Sequence, residues 1–151
     1  MKKAPDFTLK DTSNQDVKLS DYRGSSNIVL LFFPLAFSGV CTKEVCSTRD
    51  NLKIYDSLNA VVFGISVDSF FTLKAFKQSN NLNFTLLSDF NKKVSESYGV
   101  LNHDFFGMRG VANRSVFVIN NSGYIIYEEV KENADEMPDF GAVQEVLANS
   151  I

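Results

Sequence analysis

Apolar positions along the chain fall into unbroken runs separated by helical spacings. Asn27 to Phe33 is dominated by Ile, Val, Leu and Phe without alternation. Such a run predicts a central strand covered on both faces, and it stops at Pro34, which cannot donate to a ladder. Val61 to Val67 repeats the pattern and predicts a second buried strand. Between them, from Thr42 to Leu58, Val45, Leu52, Tyr55 and Leu58 recur at spacings of seven, three and three. That period predicts one helix lying with one face on a sheet. Ser69 is placed to cap a helix carrying Phe70, Leu73 and Phe76, which ends at Ser79-Asn80-Asn81. Phe84 to Leu87 predicts a strand leading to Ser88-Asp89, then a short helix through Val94 and Tyr98 closed by Gly99. Ser115 to Ile119 and Tyr124 to Val130 flank Asn120-Asn121-Ser122-Gly123 and predict a hairpin. A last helix from about Pro138 carries Phe140, Val143, Val146 and Leu147. Near the start, Phe7 and Leu9 pair with Val17 and Leu19 across a polar turn, which predicts an N-terminal β-hairpin. The whole predicts an α/β fold with a central mixed sheet and helices on both faces. Lys131 to Asp135 reads as a loop, so residues 1–151 are expected to form a single domain.

Composition narrows the function classes. A hydrophobic content of 44% over 151 residues supports one continuous core. The formal charge of −3 comes from mixed acids and bases and offers no basic stripe, so a nucleic-acid partner is not expected. The longest apolar stretch, Ile28 to Phe37, is about half the length of a membrane helix and contains Pro34. No apolar leader follows Met1-Lys2-Lys3, and a soluble, cytoplasmic protein without a membrane partner is expected. The two cysteines are five positions apart, a loop too short to staple the fold, which points to chemistry. With one histidine in the chain, a zinc shell would need carboxylates, so no metal is expected.

Cys41 stands at the start of the predicted helix. A thiol reacts as its thiolate, and the unpaired N–H groups and dipole of a first helical turn favour that charge. The preceding segment, Pro34-Leu35-Ala36-Phe37-Ser38-Gly39-Val40, supplies a proline that turns the chain off the strand, a hydroxyl, and a glycine that allows close approach. Such a loop suits a small oxygen-bearing substrate. His103 lies in a loop-like stretch and is read as solvated, so no Cys–His pair is expected.

Pro34-x-x-x-Ser38-x-x-Cys41 resembles the peroxiredoxin signature of proline, three residues, threonine or serine, two residues, and the peroxidatic cysteine. Ala4-Pro5-Asp6-Phe7-Thr8-Leu9, Leu86-Leu87-Ser88-Asp89, Tyr98-Gly99-Val100 and Arg114-Ser115-Val116-Phe117-Val118-Ile119 resemble further segments of that family in the same order. The resemblance implies a thioredoxin-like fold with an N-terminal hairpin and a thiol peroxidase acting on hydrogen peroxide and organic hydroperoxides without a cofactor. It also implies that Arg114 sits beside the Cys41 sulfur, where a guanidinium stays charged and presents donors in a fixed fork. Ser38 would hydrogen-bond the peroxide, with Pro34, Gly39, Val40 and Glu44 completing the substrate site. Arg109 is the competing arginine, and Glu44 is as readily explained as a first-turn acid favoured by the helix dipole.

Cys41-x-x-x-x-Cys46 resembles the peroxiredoxin Q, or bacterioferritin comigratory, group, in which the second cysteine resolves the first and a thioredoxin- or glutaredoxin-like reductant recycles the disulfide. On an intact helix, five residues separate side chains by about 140° and roughly 7.5 Å of rise, too far for a disulfide, so the first turns must unwind. Phe32-Phe33-Pro34-Leu35-Ala36-Phe37-Ser38-Gly39-Val40-Cys41 and Val111-Ala112-Asn113-Arg114 also resemble the one-cysteine AhpE group, in which an external thiol reduces the sulfenic acid directly; the two-cysteine route is favoured because Cys46 occupies the matched position. A non-enzymatic peroxide sensor would share the first chemical step. Phe37, Phe105 and Phe106 are candidate anchors of a homodimer, although core packing accounts for them as well.

Overall fold

A computed structural model describes residues 2–150. The chain opens with β1 (Lys2–Lys3), β2 (Thr8–Asp11), β3 (Asp16–Lys18), a 3₁₀ turn (Leu19–Tyr22) and β4 (Asn27–Phe32). Then come α1 (Gly39–Asp50), α2 (Leu52–Ser57), β5 (Ala60–Ser66), α3 (Phe70–Ser79), β6 (Thr85–Ser88) and α4 (Lys93–Ser97). β7 (Leu101–Asn102), β8 (Val111–Ala112), β9 (Ser115–Ile119), β10 (Tyr124–Val130) and α5 (Phe140–Ala148) complete the order.

The continuous apolar runs form the middle of an eight-stranded sheet ordered β1-β10-β9-β4-β5-β6-β2-β3. β4, β5 and β6 are parallel, and β9 lies antiparallel to β4. Every residue of β4 and β9 is buried, as expected for strands covered on both faces. Side chains alternate between two cores. Val29, Leu31 and Phe33 meet Val45, Tyr55, Leu73, Phe76, Val143 and Leu147, which come from α1, α2, α3 and α5. Ile28, Leu30 and Phe32 pack on the other face with Phe7, Leu19, Val94 and Tyr98. β2 and β3 form the expected hairpin, and its approach is tied down by the Tyr98 hydroxyl, which donates to the Pro5 carbonyl at 2.7 Å.

Three local features differ from the sequence expectation. The single helix expected from Thr42 to Leu58 starts earlier, at Gly39, and is broken into α1 and α2 at Asn51. There ψ is 11° and the side-chain amide donates to the Ser47 carbonyl at 2.8 Å, so Asn51 ends α1 as a local capping residue. The last helix begins at Phe140, with Asp139 accepting from the Ala142 N–H, two residues after Pro138. β1 and the two-stranded β7–β8 sheet were not expected, being too short to show a period of their own.

The register sets up the site. Phe32 at the end of β4 pairs with Ser115 at the start of β9, so Arg114 emerges where the chain leaves β4 for Pro34 and α1.

Candidate active site

Cys41 occupies the third position of α1 and its side chain is fully buried. Ser38 is the N-cap residue, in extended conformation, and its carbonyl accepts from the Thr42 N–H at 2.9 Å to begin the helical ladder. The N–H groups of Gly39, Val40 and Cys41 precede that first rung and have no partner within the helix. The Ser38 side chain does not cap them, because its hydroxyl donates to the Leu35 carbonyl at 3.0 Å. With its proton so used, Ser38 Oγ has only lone pairs to offer a substrate O–H. Phe37 carries a φ of 69°, a left-handed conformation uncommon for a bulky residue, and its ring packs edge-on against Phe76 of α3 at 5.1 Å. Pro34 is buried, Val40 half-buried and Gly39 exposed.

Arg114 joins these elements. One guanidinium nitrogen, Nη2, donates to Cys41 Sγ at 3.2 Å, and Nη1 donates to Glu44 Oε1 at 2.6 Å. Nε donates to the Ala134 carbonyl at 3.0 Å, so three nitrogens of the fork are held from three directions. The guanidinium is 2% exposed and Glu44 not at all. Burial pulls the Arg114 pKa down, but the Glu44 and Cys41 charges and hydrogen bonds outweigh it and hold it above the ordinary arginine value. Glu44 lies one turn after Cys41, and its Oε2 is buried without a hydrogen-bond partner among the described residues. Burial therefore raises its carboxyl to about 7, against the opposing pull of Arg114. A fixed cation thus faces the sulfur, with a carboxyl behind it that titrates near neutrality. A cation so placed can stabilise negative charge developing on an oxygen bound beside the sulfur.

A cleft of about 430 Å³ reaches Arg114 from outside and is lined by Pro34, Phe105, Phe106, Asn113, Ala134 and neighbouring loop residues. Phe106 is 86% exposed. Arg109 and His103 are exposed and take no part in the cluster. Cys46 is half-buried and separate from it: its sulfur lies 3.6 Å from Asn80 Oδ1 at the end of α3, and no disulfide joins the cysteines.

Two contributors escape the sequence. The carboxylate of Asp68, just past β5, accepts from the Ala36 N–H at 2.8 Å and from the Ser66 hydroxyl at 2.6 Å, tying the loop before α1 to the sheet. An acid at a strand–helix junction otherwise reads as a capping or solvated residue. The Ala134 carbonyl lies in the loop that looked like a connector, and a main-chain acceptor leaves no signature in residue type.

Residues 1–128 match the AhpC/TSA family. This chain is a peroxiredoxin of that family. Alkyl hydroperoxide reductase E of Mycobacterium tuberculosis is 42% identical over 131 residues, spanning 85% of this chain and 83% of the relative. A chloroplastic 2-Cys peroxiredoxin of Spinacia oleracea is 38% identical over 138 residues, spanning 85% of this chain and 51% of the relative. Among solved structures, peroxidoxin BcpB of Mycobacterium tuberculosis superposes with a TM-score of 0.82 at 28% identity, covering 97% of this chain and 92% of the other. The reduced 2-Cys peroxiredoxin of Plasmodium vivax gives a TM-score of 0.86 at 28% identity, covering 96% and 78%. The peroxiredoxin therefore has the thioredoxin-like fold expected from its motifs and is a thiol peroxidase, an oxidoreductase. No helix among its described residues is long and apolar enough to cross a membrane.

Proposed function

We propose that this peroxiredoxin acts as a single cytoplasmic domain that reduces hydrogen peroxide and organic hydroperoxides with Cys41 as the nucleophile. The observation that carries the assignment is the 3.2 Å contact from Arg114 Nη2 to Cys41 Sγ in the first turn of α1. The thiolate attacks the terminal peroxide oxygen, the S–O bond forms as the O–O bond breaks, and charge moves to the leaving oxygen. Arg114 and the free N–H groups at the start of α1 stabilise that charge, and the leaving oxygen takes a proton to become water or an alcohol. Ser38 Oγ accepts the substrate O–H, while Pro34, Gly39 and Val40 shape the approach. Glu44 holds Arg114 in place from the other side of the fork.

Cys46 then attacks the Cys41 sulfenic acid, expelling hydroxide and closing an intramolecular disulfide that a thioredoxin- or glutaredoxin-like protein reduces. The first turns of α1 unwind for this step, because the helix keeps the two sulfurs apart. Thr42, Val45, Cys46, Ser47 and Thr48 are weak helix formers and make that opening inexpensive. A second reading, direct reduction of the sulfenic acid by an external thiol, draws support from the Cys46 contact with Asn80, which holds that thiol away from Cys41. Phe37, Phe105 and Phe106 remain candidate anchors of a homodimer, Phe37 being partly committed to Phe76.

Two measurements decide. Stopped-flow oxidation with stoichiometric hydrogen peroxide is expected to be far faster than for free cysteine, and parity with free cysteine would remove the peroxidase assignment of Cys41 and leave a slow peroxide sensor. Mass spectrometry after peroxide is expected to find an intramolecular disulfide in the wild type and a sulfenic acid in Cys46→Ser. A stable sulfenic acid in the wild type with Cys46 still alkylatable favours the external-thiol route.

A further inference from the structure

The outer half of α1 carries a cluster that the peroxide chemistry does not use. Asn80, the residue that closes α3, receives two contacts from α1: the Cys46 thiol donates to its side-chain Oδ1 at 3.6 Å, and Arg49 Nη1 donates to its main-chain carbonyl at 2.6 Å. The Asn80 amide orientation follows from its other bond, since Nδ2 donates to the Phe76 carbonyl at 3.0 Å and so leaves Oδ1 for the thiol. Asn83 Nδ2 adds a bond to the Arg49 carbonyl at 3.2 Å. Arg49 lies three residues after Cys46, on the same side of the helix, and its Nε pairs with Asp50 at 3.0 Å. Its pKa is raised, first by the Asp50 hydrogen bond and in smaller part by Cys46. The inner half of α1 is bound elsewhere, through Cys41 and Glu44 to Arg114.

We propose that Asn80 and Arg49 are positioning residues for the resolving step: Asn80 parks the Cys46 thiol, and Arg49 clamps the helix beyond it and presents a cation toward the sulfur on release. The proposal rests on the reading that Cys46 resolves Cys41. Oxidation at Cys41 disturbs only the inner contacts, so unwinding that begins there stops at the Arg49–Asn80 clamp. Cys46 becomes the last residue freed, at the tip of an intact helical segment. A thiol whose S–H is held by an amide oxygen must break that bond before it attacks, whereas a cation one turn away stabilises negative charge on the attacking sulfur. The step then balances: Cys46 sulfur attacks Cys41 sulfur, the S–S bond forms, the S–O bond breaks, and hydroxide leaves with the released proton as water.

The two groups therefore act in opposite directions, a signature that a packing role would not give. After stoichiometric peroxide, quenched-flow mass spectrometry reads the decay of the sulfenic acid into disulfide. Arg49→Gln is expected to slow that decay about twofold to fivefold, the range for a partly exposed charge, and Arg49→Lys to restore most of it. Asn80→Ala keeps the carbonyl that Arg49 uses and removes the parking bond together with the local bond to the Phe76 carbonyl that closes α3, so the decay is expected to run up to about fivefold faster. Cys41 oxidation in the same experiment reports that the fold around Arg114 is intact. A wild-type disulfide with both Arg49→Gln and Asn80→Ala at the wild-type rate, or with both slowed alike, overturns the proposal while leaving Cys46 as the resolver. Absence of any wild-type disulfide overturns the reading of Cys46 and the proposal with it.

Discussion

Cys41 lies in the first turn of α1 with its sulfur fully buried and an arginine nitrogen at 3.2 Å, whereas Cys46, five residues on, is half-buried with an amide oxygen at 3.6 Å. A helix turns its residues by about 100° each, so this spacing sends the two side chains toward different neighbours. The inner neighbour is a charge pair excluded from water, Glu44 with Arg114. The outer neighbour is a neutral amide on α3 near the surface. Electrostatic interactions strengthen as the local dielectric falls, so the same kind of thiol meets a strong, fixed field at one end of the segment and a weak, releasable one at the other. The contrast is what the proposed division of labour requires, Cys41 reacting with peroxide first and Cys46 following.

The largest expected effect comes from removing the inner cation. Arg114→Met leaves Glu44 buried opposite an apolar side chain, and breaking a buried pair from one side costs about 3–5 kcal/mol. Cys41 oxidation, which also loses its donor, is expected to fall roughly 100-fold to 1000-fold. Arg114→Lys keeps a charge but cannot serve Cys41, Glu44 and the Ala134 carbonyl from a rigid fork, so it should recover stability better than rate. Urea melts and stopped-flow traces on both variants check this, and unaltered oxidation in Arg114→Met would erase the distinction between the two thiols.

Next comes the titration of Glu44. Burial raises its carboxyl from 4.5 to about 7, so between those values the folded protein binds more protons than the unfolded chain. The stability linked to the protonated form is full below pH 4.5 and declines as pH rises through about 7. For an isolated group such a shift corresponds to about 3 kcal/mol at most. Glu44→Gln removes the titration while keeping an acceptor for Arg114. The wild type is expected to lose stability relative to Glu44→Gln between pH 5 and pH 8 in urea melts. Parallel curves would mean that Arg114 fully compensates the burial and that the inner site is no harsher a place for charge than the outer one.

The sequence exposes these two sites unequally. β4 and β9 are legible because strands buried on both faces must be apolar throughout, and α3 because Ser69 and the Leu73–Phe76 spacing mark its start and its buried side. Cys41 and Arg114 are legible through the motifs around them. The break at Asn51 is hidden because Val45 and Leu52 keep a helical period across it, both segments lying on the same face of the sheet. The outer partner, Asn80, is hidden for another reason: among polar residues at the end of α3 it looks like a helix terminator, which it also is. Tertiary contacts made by an amide, a carbonyl or a junction carboxylate follow from where elements cross in space, and a linear pattern does not record that.

The smallest expected effect tests the loop that carries Cys41 to its place. Asp68 holds the Ala36 N–H, and Phe37 just beyond it keeps a left-handed backbone that costs energy for a non-glycine residue. Without the Asp68 anchor that strain favours relaxation of the loop, which would shift Ser38 and the first N–H groups of α1 relative to Arg114. Asp68→Ala loses two hydrogen bonds and is expected to cost about 1–2 kcal/mol and to slow Cys41 oxidation several-fold. Asp68→Asn retains an acceptor for Ala36 and should fall between Asp68→Ala and the wild type. The rate of the proposed Cys46 step distinguishes a local anchor from general loosening. If the anchor serves only the inner end, sulfenic acid converts to disulfide at the wild-type rate or faster, because the unwinding that precedes it has become easier. If that conversion slows together with the first oxidation, the two ends of α1 are mechanically one unit and the contrast between them is narrower than their surroundings suggest.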